Sequence, residues 1–157
     1  MRKLIGIIAI CFLFTNCATL FKVETISSTD IQGTTTRQEM KIIYDLIGTV
    51  NIYTFSFGKL PDNLFVIIAD HTDVNWCFYE TIFLKVDDKL FRLDTSPSRN
   101  TIYGGVRELL ISPLSNEIID ALKVCNSIQI QLDGTKVKSK IYNVQSSGIQ
   151  NINNFFK

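Results

Sequence analysis

Residues 76–94 read WCFYETIFLKVDDKLFRLD, and the fold is decided by how the middle of this stretch alternates. Ile82, Leu84 and Val86 fall on one side of an extended chain, while Lys85 and Asp87 fall on the other. That is the two-residue period of a strand with one face buried. Asp87-Asp88 then supplies a turn, and Lys89 to Asp94 begins a second strand. A link this short joins antiparallel neighbours, because a parallel pair needs a crossover of a dozen residues or more.

Working outward, the same period governs most of the chain. Val50 to Phe57 is rich in β-branched and aromatic residues, and Gly58 to Asn63 turns around Pro61-Asp62. Leu64 to Ala69 is apolar throughout, as expected of a strand covered on both faces. Beyond Asp94, Thr95 to Asn100 with Pro97 reads as a loop. Tyr103 to Ile111 resumes as a strand in which Gly104-Gly105 marks a bulge or a close backbone approach. After Pro113, Ser115 caps a helix running to Val124, with Ile118, Ile119 and Leu122 on its apolar side and Leu114 stapled onto Ile119. Ile128, Ile130 and Leu132 alternate with Gln129, Gln131 and Asp133; Asp133-Gly134 signals a two-residue hairpin, and Val137 and Ile141 return on the pattern. Ile149, Ile152, Phe155 and Phe156 have helical spacing at the end.

Toward the N-terminus, Thr36-Arg37-Gln38-Glu39 is a capping box, followed by Met40, Ile43, Tyr44 and Ile47 at helical steps and by Gly48 as a stop. The expectation is a helix, with a strand through Met40 to Leu46 as the rival reading. Phe21 to Thr35 breaks period and reads as a tether with one short strand at Lys22 to Ile26. The expected architecture is α+β: a single domain over residues 36–157, with a mainly antiparallel sheet of about six to eight strands and one or two packed helices.

The first residues carry an address. Arg2 and Lys3 precede an apolar run from Leu4 to Phe14 that stops at Thr15-Asn16-Cys17. The run is short for a membrane span and suits the apolar region of an export signal. Leu13-Phe14-Thr15-Asn16-Cys17 resembles the relaxed, spirochaete-like lipobox of bacterial lipoproteins, departing from the usual pattern in having Phe14 three places before the cysteine and Asn16 directly before it. The resemblance implies a signal peptide over residues 1–16, acylation of Cys17, and a lipidated N-terminus and tether over residues 17–35. It further implies attachment to membrane lipid through Cys17, at the outer membrane or the outer face of the inner membrane. An uncleaved anchor from Leu4 to Phe21 and a signal cut after Ala18 are the competing readings, and each also exports the domain.

Composition narrows the function. Loss of Arg2 and Lys3 from 16 basic residues leaves a slight excess of acid against 15 Asp and Glu, so no basic footprint for nucleic acid exists. Lys136, Lys138 and Lys140 alternate as a solvated strand face. The single histidine, His71, lies in Asp70-His71-Thr72-Asp73, read as an exposed strand end, and no Gly-x-Ser-x-Gly elbow accompanies it. No catalytic residue is therefore assigned. Zinc is not expected, since the cysteines lack pairwise spacing, and neither Asp70 with Asp73 nor Asp87 with Asp88 fits a calcium loop. No cofactor is expected. Outside the signal region, Cys77 and Cys125 are a candidate disulfide, or else two buried thiols. These features favour a non-catalytic binding or structural module of the envelope whose partner is a protein or a small ligand. An exported hydrolase using His71 with a nearby carboxylate is the alternative. A concave aromatic surface around Tyr53, Phe55, Phe57, Trp76 and Phe78 would favour ligand binding.

Overall fold

The structure is a computed structural model; it describes the backbone of residues 19–29, 35–46 and 52–157, and the side chains from Tyr53 onward with Asp62 excepted. The expected signal peptide over residues 1–16 and the expected lipidation site Cys17 lie outside the described residues. Among the described residues, ten strands and two helices follow one another: β1 (Thr19–Thr29), β2 (Thr35–Leu46), β3 (Ile52–Lys59), a 3-10 turn (Pro61–Asn63), β4 (Phe65–Asp73), β5 (Tyr79–Val86), β6 (Lys89–Asp94), β7 (Ser96–Ile102), β8 (Gly105–Pro113), α1 (Asn116–Leu122), β9 (Ile128–Gly134), β10 (Tyr142–Asn143) and α2 (Ser146–Phe155). They form two antiparallel sheets. The larger has the order β1-β2-β3-β4-β8-β7 and the smaller β10-β9-β5-β6. The α+β expectation holds, with the strands divided between two sheets.

One apolar core joins the layers. Phe55, Phe57, Ile67, Ala69 and Leu110 enter it from the larger sheet, and Ile82, Leu84, Val86, Ile128, Ile130 and Leu132 from the smaller. The alternation read at Ile82, Leu84 and Val86 is thus the inward face of β5. Val66 to Ala69 are all buried, as a strand covered on both faces requires. Helix α1 starts where Ser115 Oγ accepts the Ile118 amide, and it presses Ile118 and Leu122 into the core. Burying a leucine side chain of this kind contributes about 1.5–3 kcal/mol. Helix α2 contributes Ile149 and Ile152, and the adjoining Phe156 meets Phe57 edge-on at 5.4 Å.

Four local expectations are corrected. Residues 36–46 form no helix: β2 runs through the capping box and pairs with β1 on one side and β3 on the other. Two ladders of backbone hydrogen bonds outweigh a cap whose contribution is only about 1 kcal/mol, and Ile42, Ile43 and Tyr44 carry strand propensity. The strand expected at Lys22 to Ile26 extends to Thr19–Thr29, so much of the supposed tether is sheet. The expected loop at Thr95 to Asn100 is largely β7, an edge strand where Pro97 can lack an amide without breaking a central ladder. Asp133-Gly134 is not the hairpin turn. Gly134 is still paired, opposite Tyr79, and the return comes through a bridge at Lys138 and then β10 opposite Gln129 and Ile130. The inward residues of the return are Ser139, Tyr142 and Val144, with Val137 and Ile141 exposed.

Gly104-Gly105 divides into two roles. Gly104 has φ +80° in the turn joining β7 to β8, whereas Gly105 permits a close approach: a Cβ there would stand 2.3 Å from the Asp73 carbonyl oxygen.

Candidate functional site

Cross-strand register assembles a polar row at one end of the larger sheet. On β4 the inward phase that buries Ile67 and Ala69 continues to His71, and then to half-buried Asp73. Tyr53 on β3 lies opposite His71, His71 opposite Glu108 on β8, and Glu108 opposite Arg99 on β7. The next row inward is apolar, with Phe55 opposite Ala69 and Ala69 opposite Leu110. The polar row faces the chain segment that leads into β5, so Cys77, Phe78 and Tyr79 close over it.

Glu108 organises that segment. Its side chain is wholly buried, and its carboxylate accepts the amides of Cys77 at 3.1 Å, Phe78 at 2.8 Å and Tyr79 at 3.0 Å. Three successive amides can converge because Phe78 takes a positive φ of 55° and bends the backbone around the anion. Arg99 completes the enclosure: its Nη2 donates to the Tyr79 carbonyl at 2.8 Å, and its Nε lies 3.9 Å from Glu108. Gly134 lets β9 come close to this bend, since a Cβ would meet the carbonyl oxygens of Cys77 and Phe78 at 2.7 Å.

His71 occupies the centre and corrects the exposed-loop expectation, for its exposure is 0%. Its ring stacks on Tyr53 at 4.3 Å and meets Tyr79 edge-on at 5.1 Å, and the two tyrosine hydroxyls are 2.9 Å apart. Neither ring nitrogen has a hydrogen-bond partner. Nε2 stands 3.9 Å from Asp73 Oδ2. Ligand-capable atoms of His71, Asp73 and Cys77 all lie within 4.8 Å of one another. Burial lowers the His71 pKa, against the upward pull of Asp73, Glu108 and Asp70, and burial raises that of the Cys77 thiol. Both groups are thereby held neutral, which disfavours the thiolate–imidazolium pair of a cysteine nucleophile.

The other candidate residues are separated from this centre. Asp70 lies on the opposite face of β4, where its carboxylate pairs with both Arg107 Nε and Nη2. Asp70 and Asp73 therefore do not converge on one cation. Asp87 is committed elsewhere: its Oδ1 accepts the amides of Asn126 and Ser127 and the Ser127 hydroxyl. Cys77 and Cys125 are both buried free thiols. Cys77 precedes the start of β5 and Cys125 lies beside its far end, where Val86 pairs with Ile128. Eight extended residues separate those ends by roughly 23 Å, against a disulfide limit of about 7 Å between Cα atoms. The candidate disulfide is thereby corrected. Burial instead pushes the Cys125 thiol up to about 11, and its Sγ lies 3.2 Å from Asn153 Oδ1.

Of the five aromatics considered as a concave surface, Phe55 and Phe57 are core, while Tyr53, Trp76 and Phe78 are half-buried. Two cations lie over the Phe78 ring, Lys136 Nζ at 4.6 Å from its centre and the Arg99 guanidinium at 5.4 Å. Sequence reading missed Glu108, Arg99, Tyr79 and the proximity of Cys77 to His71. A signal for part of this was present: extending the two-residue period of β4 beyond Ala69 puts His71 and Asp73 inward, and Glu108 shares the phase of Val106 and Leu110.

The chain is thus an antiparallel, two-sheet α+β domain with a buried polar centre at one end. No known family and no curated protein matches it. Its fold is similar to the crystal structure of invasion associated protein B from Bartonella henselae, with a TM-score of 0.52 and 13% identity over 87% of this chain and 95% of that one. At that identity the likeness concerns the fold.

Proposed function

We propose that this protein is a membrane-anchored envelope lipoprotein whose folded domain acts by non-covalent contact, as a binding or structural module. The domain reading rests on His71. It is the only imidazole in the chain, and it is walled in by Tyr53 and Tyr79 with its charge disfavoured. A general base must reach its proton on the substrate, and the aromatic walls oppose that. The anchor reading rests on the charged start, apolar run and cysteine at Arg2 to Cys17. Each buried methylene of an acyl chain contributes about 0.8 kcal/mol, so more than one chain on Cys17 makes a stable tether.

Fatty-acid labelling of cells making the full chain tests the anchor. The wild type should take up label and fractionate with membranes, and Cys17→Ser should lose both properties while its circular dichroism is retained. Equal labelling of the two forms would overturn the lipoprotein reading. For the domain, a chain directed to the same compartment without Cys17 should complement a deletion poorly, because a contact module depends on its position at the membrane. Complementation as complete as that of the tethered form would count against it.

A further inference from the structure

We propose that His71, Asp73 and Cys77 form a binding site for one zinc ion, using His71 Nε2, a carboxylate oxygen of Asp73 and the Cys77 sulfur. Nitrogen, sulfur and oxygen donors in one small cluster suit this borderline-soft cation. The inference goes beyond the envelope reading and does not depend on the lipid anchor.

Two independent observations carry it. The first is convergence: three residues of different donor type, brought from β4 and from the bend before β5, place one ligand atom each within 4.8 Å of the others. The second is the imidazole, 0% exposed and without a hydrogen-bond partner on either nitrogen. Buried polar atoms are nearly always satisfied, and an orphan at a centre of ligand-type side chains points to a missing partner. A neutral imidazole is the form that donates a lone pair to a metal.

The geometry is within reach of a tetrahedral ion. Ligands at about 2.1 Å from zinc stand roughly 3.4 Å apart. The His71 Nε2 to Asp73 Oδ2 distance is 3.9 Å, so that pair closes by about half an ångström, and the Cys77 sulfur, within 4.8 Å of both, by no more than about 1.2 Å. The surroundings hold the donors in place. Tyr53 and Tyr79 fix the imidazole plane, Glu108 holds the Cys77 backbone through its amide, and Gly105 lets β8 pass against the Asp73 carbonyl. Asp73 retains 16% side-chain exposure at the edge of the centre, and three protein donors leave the fourth tetrahedral position to a water molecule. On binding, the Cys77 S–H proton is released to solvent and the thiolate forms the bond to zinc. No electron is transferred, and no further reactant is needed.

The test uses the full chain purified in detergent, stripped with a chelator and titrated with zinc chloride against a chromogenic competitor. The wild type should bind one equivalent of zinc and gain thermal stability. Asp73→Asn and Cys77→Ser should each weaken binding by at least about tenfold, and Cys125→Ser should leave it unchanged. Substitution with cobalt should give a thiolate-to-metal charge-transfer band that is absent from Cys77→Ser. A folded wild type that takes up no stoichiometric zinc overturns the proposal, as does zinc binding of equal strength in wild type, Asp73→Asn and Cys77→Ser. Because the decisive measurement is made on the wild type, a variant that fails to fold does not remove the test.

Discussion

The carboxylate of Glu108, on β8 of the larger sheet, accepts the backbone amide of Cys77 at 3.1 Å, and this bond ties the two sheets together at their polar end. The same group also takes the amides of Phe78 and Tyr79, so one buried anion replaces the hydrogen bonds that the bend cannot make to itself. The bend in turn sets where β5 begins and how Cys77 faces His71.

Replacing Glu108 by Ala should therefore be severe. It leaves three buried or part-buried amides without an acceptor, and each such loss costs about 1–3 kcal/mol. The expected loss of stability is of order 3 kcal/mol or more, read from the midpoint of urea unfolding. Glu108→Gln keeps one oxygen acceptor and should lie between wild type and Glu108→Ala. Near-wild-type stability of Glu108→Ala would show that water replaces the carboxylate freely.

Helix α1 allows a paired comparison of adjacent residues. Leu122 is wholly buried, whereas Lys123 makes a surface ion pair with Asp120 at 2.7 Å. Leu122→Ala should destabilise by about 2–5 kcal/mol through lost burial and the cavity left behind. Lys123→Ala should cost less than about 0.5 kcal/mol, as exposed helix pairs do. Both are measured by chemical denaturation. Equal costs would mean that the helix turns a different face to the core.

Asp87 makes the acid limb of stability testable. The Asn126 amide, followed by the Ser127 amide and hydroxyl, holds its carboxyl pKa below the usual value of 3.8. A folded-state pKa lowered in this way means that the unfolded chain binds the proton first as pH falls. The stabilisation is fully present above pH 3.8, and it is lost progressively as pH drops below that toward the lowered folded value. Asp87→Asn removes the titration. Thermal midpoints of wild type and variant should therefore converge as pH falls below 3.8. A constant difference across that range would show that the carboxylate charge at Asp87 does not matter.

The sequence by itself determined the elements whose signals are local. Strand β5 follows from Ile82, Leu84 and Val86, strand β9 from Ile128, Ile130 and Leu132, and the start of α1 from Ser115, because burial of one face and satisfaction of a free amide depend on residues a few positions apart. Tertiary structure decided the elements whose local signals conflict. Residues 36–46 carry a helix cap and strand-forming side chains together, and pairing with both β1 and β3 selects the strand. Gly134 looks like a turn residue until β9 is seen to need its missing side chain against the carbonyls of Cys77 and Phe78. The assembly of the polar centre was also decided by tertiary structure, although the periods of β4 and β8 already turn His71 and Glu108 inward. His71, Cys77, Arg99 and Glu108 are brought together by the register of three strands, β4, β8 and β7, and by a bend with positive φ, and no spacing along the chain encodes that meeting. A two-residue period states which face a side chain takes; which strand lies opposite is settled only when the sheets close around a common core.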